Sequence, residues 1–163
     1  MFGRAGYTHS FTPALSADGR YVAFASWASN LVPGDTNDVG DVFVHDRQTG
    51  TTTRVSDDSA GGQGEGGNRY YLGASYYPAL NADGRYVAFS SNASNLVPGD
   101  TNDAWDVFVH DRQTGSTTRV SVDNAGGQSN HESYSPALSA DGRYVAFGSW
   151  ASNLVPNDTN DTW

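Results

Sequence analysis

The sequence contains no cysteine and no lysine, and none of its apolar runs approaches the length of a membrane span. The lack of cysteine excludes disulfides, thiolate metal sites and a cysteine nucleophile. A transmembrane helix needs roughly 18 or more consecutive apolar residues, so membrane insertion through a helix is not expected. The stretch from Met1 to Phe11 has no apolar segment, and it therefore does not resemble a secretory signal peptide.

The charge is one-sided. Eighteen acidic residues oppose nine basic ones, for a net charge of −9; sixteen of the acids are Asp and all of the bases are Arg. Binding to nucleic acid needs a basic face that neutralises phosphates, so a nucleic-acid partner is not expected. The acidic balance instead favours divalent cations and cationic partners.

A repeat organises the chain. Residues 13–56 recur at 78–121 with six substitutions, and a third copy begins at Pro136 and runs to Trp163. Units repeated at such spacings are modules that cannot bury their apolar faces alone. Each unit contains extended, β-branched or aromatic stretches and lacks an apolar stripe at helical spacing, which predicts an all-β fold.

Four strands are predicted in each complete unit. In the first unit they are Phe11–Ser16, Arg20–Phe24, Asp41–Asp46 and Thr52–Ser56. The first and third connections are tight turns built on Asp-Gly and Gln-Thr-Gly. In a four-stranded meander the second connection and the connection between units lie at the end opposite these turns. Both are long and polar here, and long connections gathered at one end are where a β scaffold usually carries its function. Four antiparallel strands per unit at this spacing predict β-propeller blades.

The predicted organisation follows the repeat. It consists of a lead-in at 1–10, a blade at 11–56, a loop at 57–75, a second blade at 76–122, a loop at 123–133 and half of a third blade at 134–163. Two and a half blades make an incomplete ring. We expect the ring to be closed either by oligomerisation of this chain or by further blades of a longer chain, because an open sheet edge is a template for association.

One segment of the repeat is similar to a known family. The pattern Pro-Ala-Leu-Ser-Ala-Asp-Gly-Arg-Tyr-Val-Ala-Phe-x-Ser at Pro13–Ser26, with its copies at Pro78–Ser91 and Pro136–Ser149, resembles the WD40-like PD40 repeat of TolB-type β-propellers. An Ala replaces the family's usual Pro before Asp-Gly in all three copies. The resemblance implies a propeller that is commonly periplasmic or extracellular, that most often binds proteins, and that has no fixed catalytic residues.

A loop rich in Asp and Asn is the candidate metal site. Its oxygen-bearing side chains in the two complete units are Asp35, Asn37, Asp38, Asp41, Asp100, Asn102, Asp103 and Asp106. Oxygen ligands at this spacing could wrap Ca²⁺, which takes six to eight oxygens. The alternative is that the same residues make Asx turns and cap the strand that follows.

Aromatic residues form the candidate binding surface. They are Trp27, Tyr70, Tyr71, Trp105 and Trp150, accompanied by Tyr76 and Tyr77. On the long-loop side they could stack against sugars or a partner chain. The alternative is that they pack over the ends of neighbouring blades.

The remaining polar residues favour a structural role. His45 and His110 are expected to make structural hydrogen bonds, and Arg54 and Arg119 to pair with nearby Asp residues. The predicted innermost strands carry no acid, although propeller glycosidases need two facing carboxylates. The sequence therefore predicts a non-catalytic binding or scaffold module that calcium could stabilise. A self-assembling structural repeat is the alternative, and a hydrolase ranks last.

Overall fold

A computed structural model describes residues 9–65 and 73–159 of the chain. The strands are β1 (Ser10–Leu15), β2 (Tyr21–Ser26), β3 (Asp41–Asp46), β4 (Thr51–Arg54), β5 (Ser75–Leu80), β6 (Tyr86–Ser91), β7 (Asp106–Asp111), β8 (Ser116–Arg119), β9 (Ser133–Leu138) and β10 (Val145–Ser149). Within these two ranges the structure contains no helix, and so none that could cross a membrane.

The strands form three antiparallel sheets. The first has the order β1-β2-β3-β4, the second β5-β6-β7-β8, and the third pairs β9 with β10. Each complete sheet is a meander, because every strand pairs with its neighbour in sequence. The predicted all-β fold, with two complete blades and half of a third, is confirmed. The described sheets form an open set and not a closed ring.

The first strands of the sheets lie next to one another. β1 contacts β5 and β5 contacts β9, while β5 also lies against β2 and β3 of the preceding sheet. The first strand of each sheet is therefore innermost. The largest core cluster fills the interface between the first two sheets and includes Ala23, Val42, Val44, Val55, Val87, Phe89, Ala93, Leu96 and Phe108. Branched and aromatic side chains on facing pleats supply the burial that one sheet alone cannot achieve.

The two ends of the sheets differ. One end carries the tight turns, including the Asp18-Gly19 turn, where Gly19 has a φ of +69° that costs glycine no steric strain. The other end, called here the long-loop end, carries the connection 26–40 and its copies. There the start of β1, the end of β2 and the start of β3 meet, since Ser10 pairs with Ser26 and Ser26 with Asp41.

Each innermost strand contains a bulge near the long-loop end. The register shifts between Phe11 and Ala14, and the same shift recurs in β5 and β9. At these bulges Thr12, Tyr77 and Ser135 have φ values of 49°, 56° and 53°. A non-glycine residue in this left-handed region is strained by about 1 kcal/mol or more. A bulge changes the direction in which side chains leave the strand. The three bulges therefore orient side chains at the long-loop end, beside the candidate site described below.

Candidate functional site

A row of aromatic rings crosses the three sheets at the long-loop end. Tyr76, the second residue of β5, lies 5.5 Å from Trp105 between ring centroids, with the two planes only 23° apart. Trp105 in turn lies 5.7 Å from Tyr134 of β9. On the other side, Tyr76 lies 5.4 Å from Phe11 of β1 and 6.2 Å from Trp27. These five residues are called the aromatic row below, and their spacing is that of favourable ring contacts.

The two tryptophans of the row come from different strands. Trp27 follows β2, and Gly40, which precedes β3, is the residue opposite it. In the second unit the bulky residue changes sides, because Asn92 replaces Trp27 and Trp105 replaces Gly40. Each interface between sheets therefore receives one tryptophan, which packs on the tyrosine of the next innermost strand. Two of the six substitutions between the units thus compensate each other.

The structure separates the predicted aromatic residues by exposure. Trp105 is only 5% exposed, so the packing alternative describes its side chain better than a free binding surface does. Trp27 is half-buried against Tyr76. Trp150, at the matching position of the third sheet, is 41% exposed. Tyr70 and Tyr71 lie outside the described residues.

Tyr77 is the exposed aromatic that borders the row. It lies at the bulge of β5, is 45% exposed, and meets Tyr76 edge-on at 6.4 Å. The left-handed backbone at Tyr77 turns this side chain out of the regular strand alternation. A ligand at the long-loop end can therefore contact the edge of the row through Tyr77, while buried Trp105 holds the row in place.

The Asp and Asn loop of the first unit lies beside an arginine, Arg54. Arg54 lies 3.9 Å from the carboxylate of Asp35, and its Nε donates to Asp57 at 2.5 Å. Asp41 is fully buried and accepts from the Ser56 hydroxyl at 2.5 Å and from the amide nitrogen of Asn37 at 3.1 Å. Burial raises the pKa of Asp41 to about 6, against the effect of these donors.

The second unit repeats this arrangement with one partner changed. Arg119 contacts Asp100 at 3.1 Å and Asp106 at 3.5 Å. Burial, and then the nearby charge of Asp106, raise the pKa of Asp100 to about 6. Asn102 donates its amide nitrogen to Asp106 at 2.8 Å, as Asn37 does to Asp41.

The predicted calcium ligands are therefore only partly gathered. Asp38 and Asp103 occupy left-handed turn positions and are exposed. Asp35, Asp100 and Asp106 contact the arginines, whereas Asn37 and Asn102 donate to Asp41 and Asp106. Asn37 and Asn102 also accept from the backbone N–H two residues later, which is an Asx turn. In the part of the chain that the structure describes, no group of three or more His, Asp or Glu side chains is arranged to hold a metal ion. Calcium binding stays a prediction.

The histidines and arginines occupy the roles expected from the sequence. His45 Nδ1 lies 3.0 Å from the Thr52 hydroxyl, and His110 Nδ1 lies 2.9 Å from that of Thr117. These bonds join the third and fourth strands of each sheet. Burial lowers the pKa of His110, which favours the neutral ring.

Sequence reasoning missed the bulges and the exchange of tryptophan between strands. Both had a signal. Pro13, Pro78 and Pro136 lack an N–H and so cannot complete a ladder, which favours a bulge or an edge strand at these positions. The exchange of tryptophan can be found by comparing substitutions at residues that face each other at the ends of β2 and β3, because the loss of Trp27 accompanies the gain of Trp105.

No protein-family model matches the chain. No curated protein matches it either. Its fold is similar to the solved structure of a TolB protein from Agrobacterium tumefaciens, with a TM-score of 0.54 and 20% identity over 88% of this chain. It is also similar to the crystal structure of the tricorn protease, with a TM-score of 0.54 and 16% identity over 93% of this chain.

These matches establish the fold. The chain has the TolB-type propeller fold, as the resemblance of its repeats implied. It spans 39% of the TolB structure and 12% of the tricorn protease.

Proposed function

We propose that this chain, a set of blades with the TolB-type propeller fold, is a non-catalytic binding module that presents its long-loop end to a protein or a glycan. The observation that carries this proposal is the aromatic row, which continues from Phe11 in the first sheet to Tyr134 in the third. Tyrosine and tryptophan combine a large apolar face with a polar group, and they dominate the energetics of binding surfaces.

The row is held rigidly, which favours binding. Trp105 is buried, and the backbone N–H of Ser133 donates to the Trp105 carbonyl at 2.6 Å. In the same way, Ser75 donates to the carbonyl of Gly40 at 2.7 Å. These bonds join each sheet to the next directly beneath the rings. A ligand would therefore meet a surface that is already ordered, so little conformational entropy is lost on binding.

The polar groups of the described chain support a non-catalytic role. The innermost strands carry no Asp or Glu. The buried carboxylates of Asp41 and Asp106 accept hydrogen bonds from serine hydroxyls, and His45 and His110 bond to threonines. Hydrolysis of a glycoside needs two carboxylates that face one substrate across a cleft. The periplasmic or extracellular location implied by the resemblance stays an expectation.

The proposal is tested with glycan and peptide arrays, followed by calorimetric titration of any ligand found. Tyr77→Ala and Trp150→Ala remove the exposed rings, and we expect each to weaken binding by about tenfold or more. Thr114→Ala, in an exposed turn at the opposite end, is the control and should bind as the unchanged chain does. Arrays without any ligand, or full affinity in both aromatic variants, would contradict the proposal.

A self-assembling scaffold is the second candidate function. It is supported by Tyr144 and Leu15, which are 64% and 62% exposed on the two outer sheets although their counterparts pack between sheets.

A further inference from the structure

Two successive interfaces between the sheets are built from the same groups. At the first, the ring of Tyr21 lies against the Asp83-Gly84 turn of the next sheet, so closely that a β-carbon on Gly84 would lie 2.3 Å from the ring. At the second, Tyr86 lies against Gly142, where a β-carbon would come within 2.4 Å. Only glycine permits these approaches.

An arginine and a backbone bond complete the first interface. The guanidinium carbon of Arg112 lies 4.3 Å from the ring centroid of Tyr21, while its Nη1 donates to the Gly84 carbonyl at 2.6 Å. Tyr21 is thus covered by a cation and a turn of the following sheet. The Ala17 N–H donates to the Ala82 carbonyl at 2.9 Å, and the Ala82 N–H donates to the Ala140 carbonyl at 3.0 Å.

Each sheet therefore has an outgoing and an incoming face. The outgoing face offers a tyrosine ring and an alanine N–H. The incoming face offers an alanine carbonyl and the glycine of the Asp-Gly turn, and in the first two sheets also an arginine held over that turn. The eight residues that build the turn and the tyrosine strand, Ala-Asp-Gly-Arg-Tyr-Val-Ala-Phe, are identical at 17–24, 82–89 and 140–147.

Within residues 9–65 and 73–159, no sheet covers the incoming face of the first sheet or the outgoing face of the third sheet. On the third sheet, Tyr144 is 64% exposed, and Ala146 is exposed although its counterparts Ala23 and Ala88 are fully buried. On the first sheet, Arg47 Nη1 donates to the Gly19 carbonyl at 2.9 Å, which repeats the geometry of Arg112 and Gly84.

The incoming face of the first sheet is apolar because it exposes Leu15. Leu80 packs against the core cluster between the first two sheets, whereas its counterpart Leu15 is 62% exposed. The outgoing face of the third sheet, formed by β9 and β10 alone, therefore offers the incoming face of the first sheet the same tyrosine and alanine N–H that the first two sheets offer to the sheets that follow them.

We propose that two copies of this chain associate head to tail, with the outgoing face of the third sheet docked on the incoming face of the first sheet of the second copy. Tyr144 then lies on Gly19 beneath Arg47, and the Ala140 N–H donates to the Ala17 carbonyl of that copy. The contact continues the established series of interfaces. It is heterologous, because different surfaces meet, and it generates a ring or a filament according to whether the rotation closes.

The test uses light scattering of the full 163-residue chain with single variants. Leu15→Arg disables the incoming face, and Tyr144→Arg places a second positive charge against Arg47 on the outgoing face. We expect the unchanged chain to be heavier than the 17.3 kDa monomer and each variant alone to be a monomer. Thr114→Arg adds the same charge to an exposed turn of the middle sheet and should leave the assembly intact, as should Tyr144→Phe.

A mixture of the two disabled variants gives the sharpest result. The Leu15→Arg copy keeps an intact outgoing face and the Tyr144→Arg copy an intact incoming face, so one good contact remains between them. We expect a particle of twice the monomer mass in the mixture. A monomeric unchanged chain would overturn the proposal and leave a further sheet of a longer polypeptide as the occupant. Assembly that survives Leu15→Arg would also overturn it, in favour of a two-fold pairing of the third sheets.

Discussion

The ring of Tyr76 lies over Gly40 so closely that a β-carbon at Gly40 would come within 2.5 Å of it. Tyr76 cannot retreat freely, because Trp27 and Trp105 flank it at 6.2 and 5.5 Å. One glycine at the end of a long loop thus determines how a blade meets the next.

Gly40→Ala should therefore destabilise the fold although Gly40 has an ordinary backbone. Overpacking of this kind costs about 1–3 kcal/mol, which we expect to see as a lower midpoint in urea denaturation. Gly40→Trp alone should cost more. The double variant Trp27→Asn/Gly40→Trp reproduces the second unit and should recover much of the loss. Equal stability of the single and double tryptophan variants would refute the compensation.

Val122 is responsible for an unsatisfied donor in the second unit. Arg54 Nε bonds to Asp57, but Val122 stands at the equivalent position, and the buried Nε of Arg119 has no hydrogen-bond partner among the described residues. A buried unpaired donor costs about 1–3 kcal/mol. Val122→Asp should raise the free energy of unfolding by about 1 kcal/mol, since burying the new carboxylate offsets part of the gain.

The reverse change provides the matched control for this pair. Asp57→Val should lower the free energy of unfolding by about 1–3 kcal/mol, because it leaves Arg54 Nε without its partner. Chemical denaturation of both variants measures the two effects. A Val122→Asp variant less stable than the unchanged chain would show that carboxylate desolvation exceeds the value of the new bond.

Stability should fall as the pH rises through the mildly acidic range. Burial raises the pKa of Asp41 and Asp100 from 3.8 to about 6, so the folded chain holds protons that the unfolded chain releases between these values. The free energy of unfolding decreases with pH wherever the folded state binds more protons. We expect a melting temperature higher, on the order of a few degrees, near the lower end of this window than above it.

Other groups set the limits of that trend. Hydrogen bonds from Arg20 and Arg85 lower the pKa of Asp46 and Asp111. The stability that these two ion pairs contribute is therefore lost only as the pH falls below 3.8, the ordinary pKa of Asp. Burial lowers the pKa of His110 from 6.5, which opposes the trend near its upper end. Asp41→Asn removes one titrating group while Arg54 keeps Asp57, and it should flatten the slope. An unchanged slope in this variant would contradict the assignment.

The calcium prediction is tested by scanning calorimetry with Ca²⁺ and with a chelator. A ligand that binds only the folded state raises the melting temperature, so the sequence-based prediction requires a rise with Ca²⁺ that the chelator removes. Asp38→Asn/Asp103→Asn removes the two exposed carboxylates without touching the arginine clusters, and it should abolish the shift. A melting temperature indifferent to Ca²⁺ would refute the prediction.

Particular strands show how far sequence could lead. The third strand was predicted at Asp41–Asp46, as observed, because β-branched and aromatic residues lie between clear turns. The fourth was predicted at Thr52–Ser56 but ends at Arg54. The strand ends early because a side chain replaces the backbone as hydrogen-bond partner. The Ser56 hydroxyl accepts a hydrogen bond from the Val42 N–H at 3.1 Å and donates one to Asp41.

The site was harder to predict than the fold. Residue type alone does not show whether a tryptophan is buried. Trp105 packs between Tyr76 and Tyr134 and is 5% exposed, whereas Trp150 is 41% exposed. Likewise, Asp35 and Asp38 look alike in sequence, yet Arg54 approaches Asp35 and not the outward-facing Asp38. The first outcome depends on a contact between units, and the second on a contact between a loop and a strand of one unit. Neither contact can be read from the residue types alone.

The left-handed residues of the innermost strands have a consequence for redesign. The three units use Thr12, Tyr77 and Ser135 in the same backbone shape, although glycine would relieve the strain at no steric cost. The fold thus accepts Thr, Tyr or Ser at one position whose backbone conformation is the same in all three innermost strands. A combinatorial library confined to these three codons would vary the proposed binding surface while leaving the contacts between the sheets unchanged.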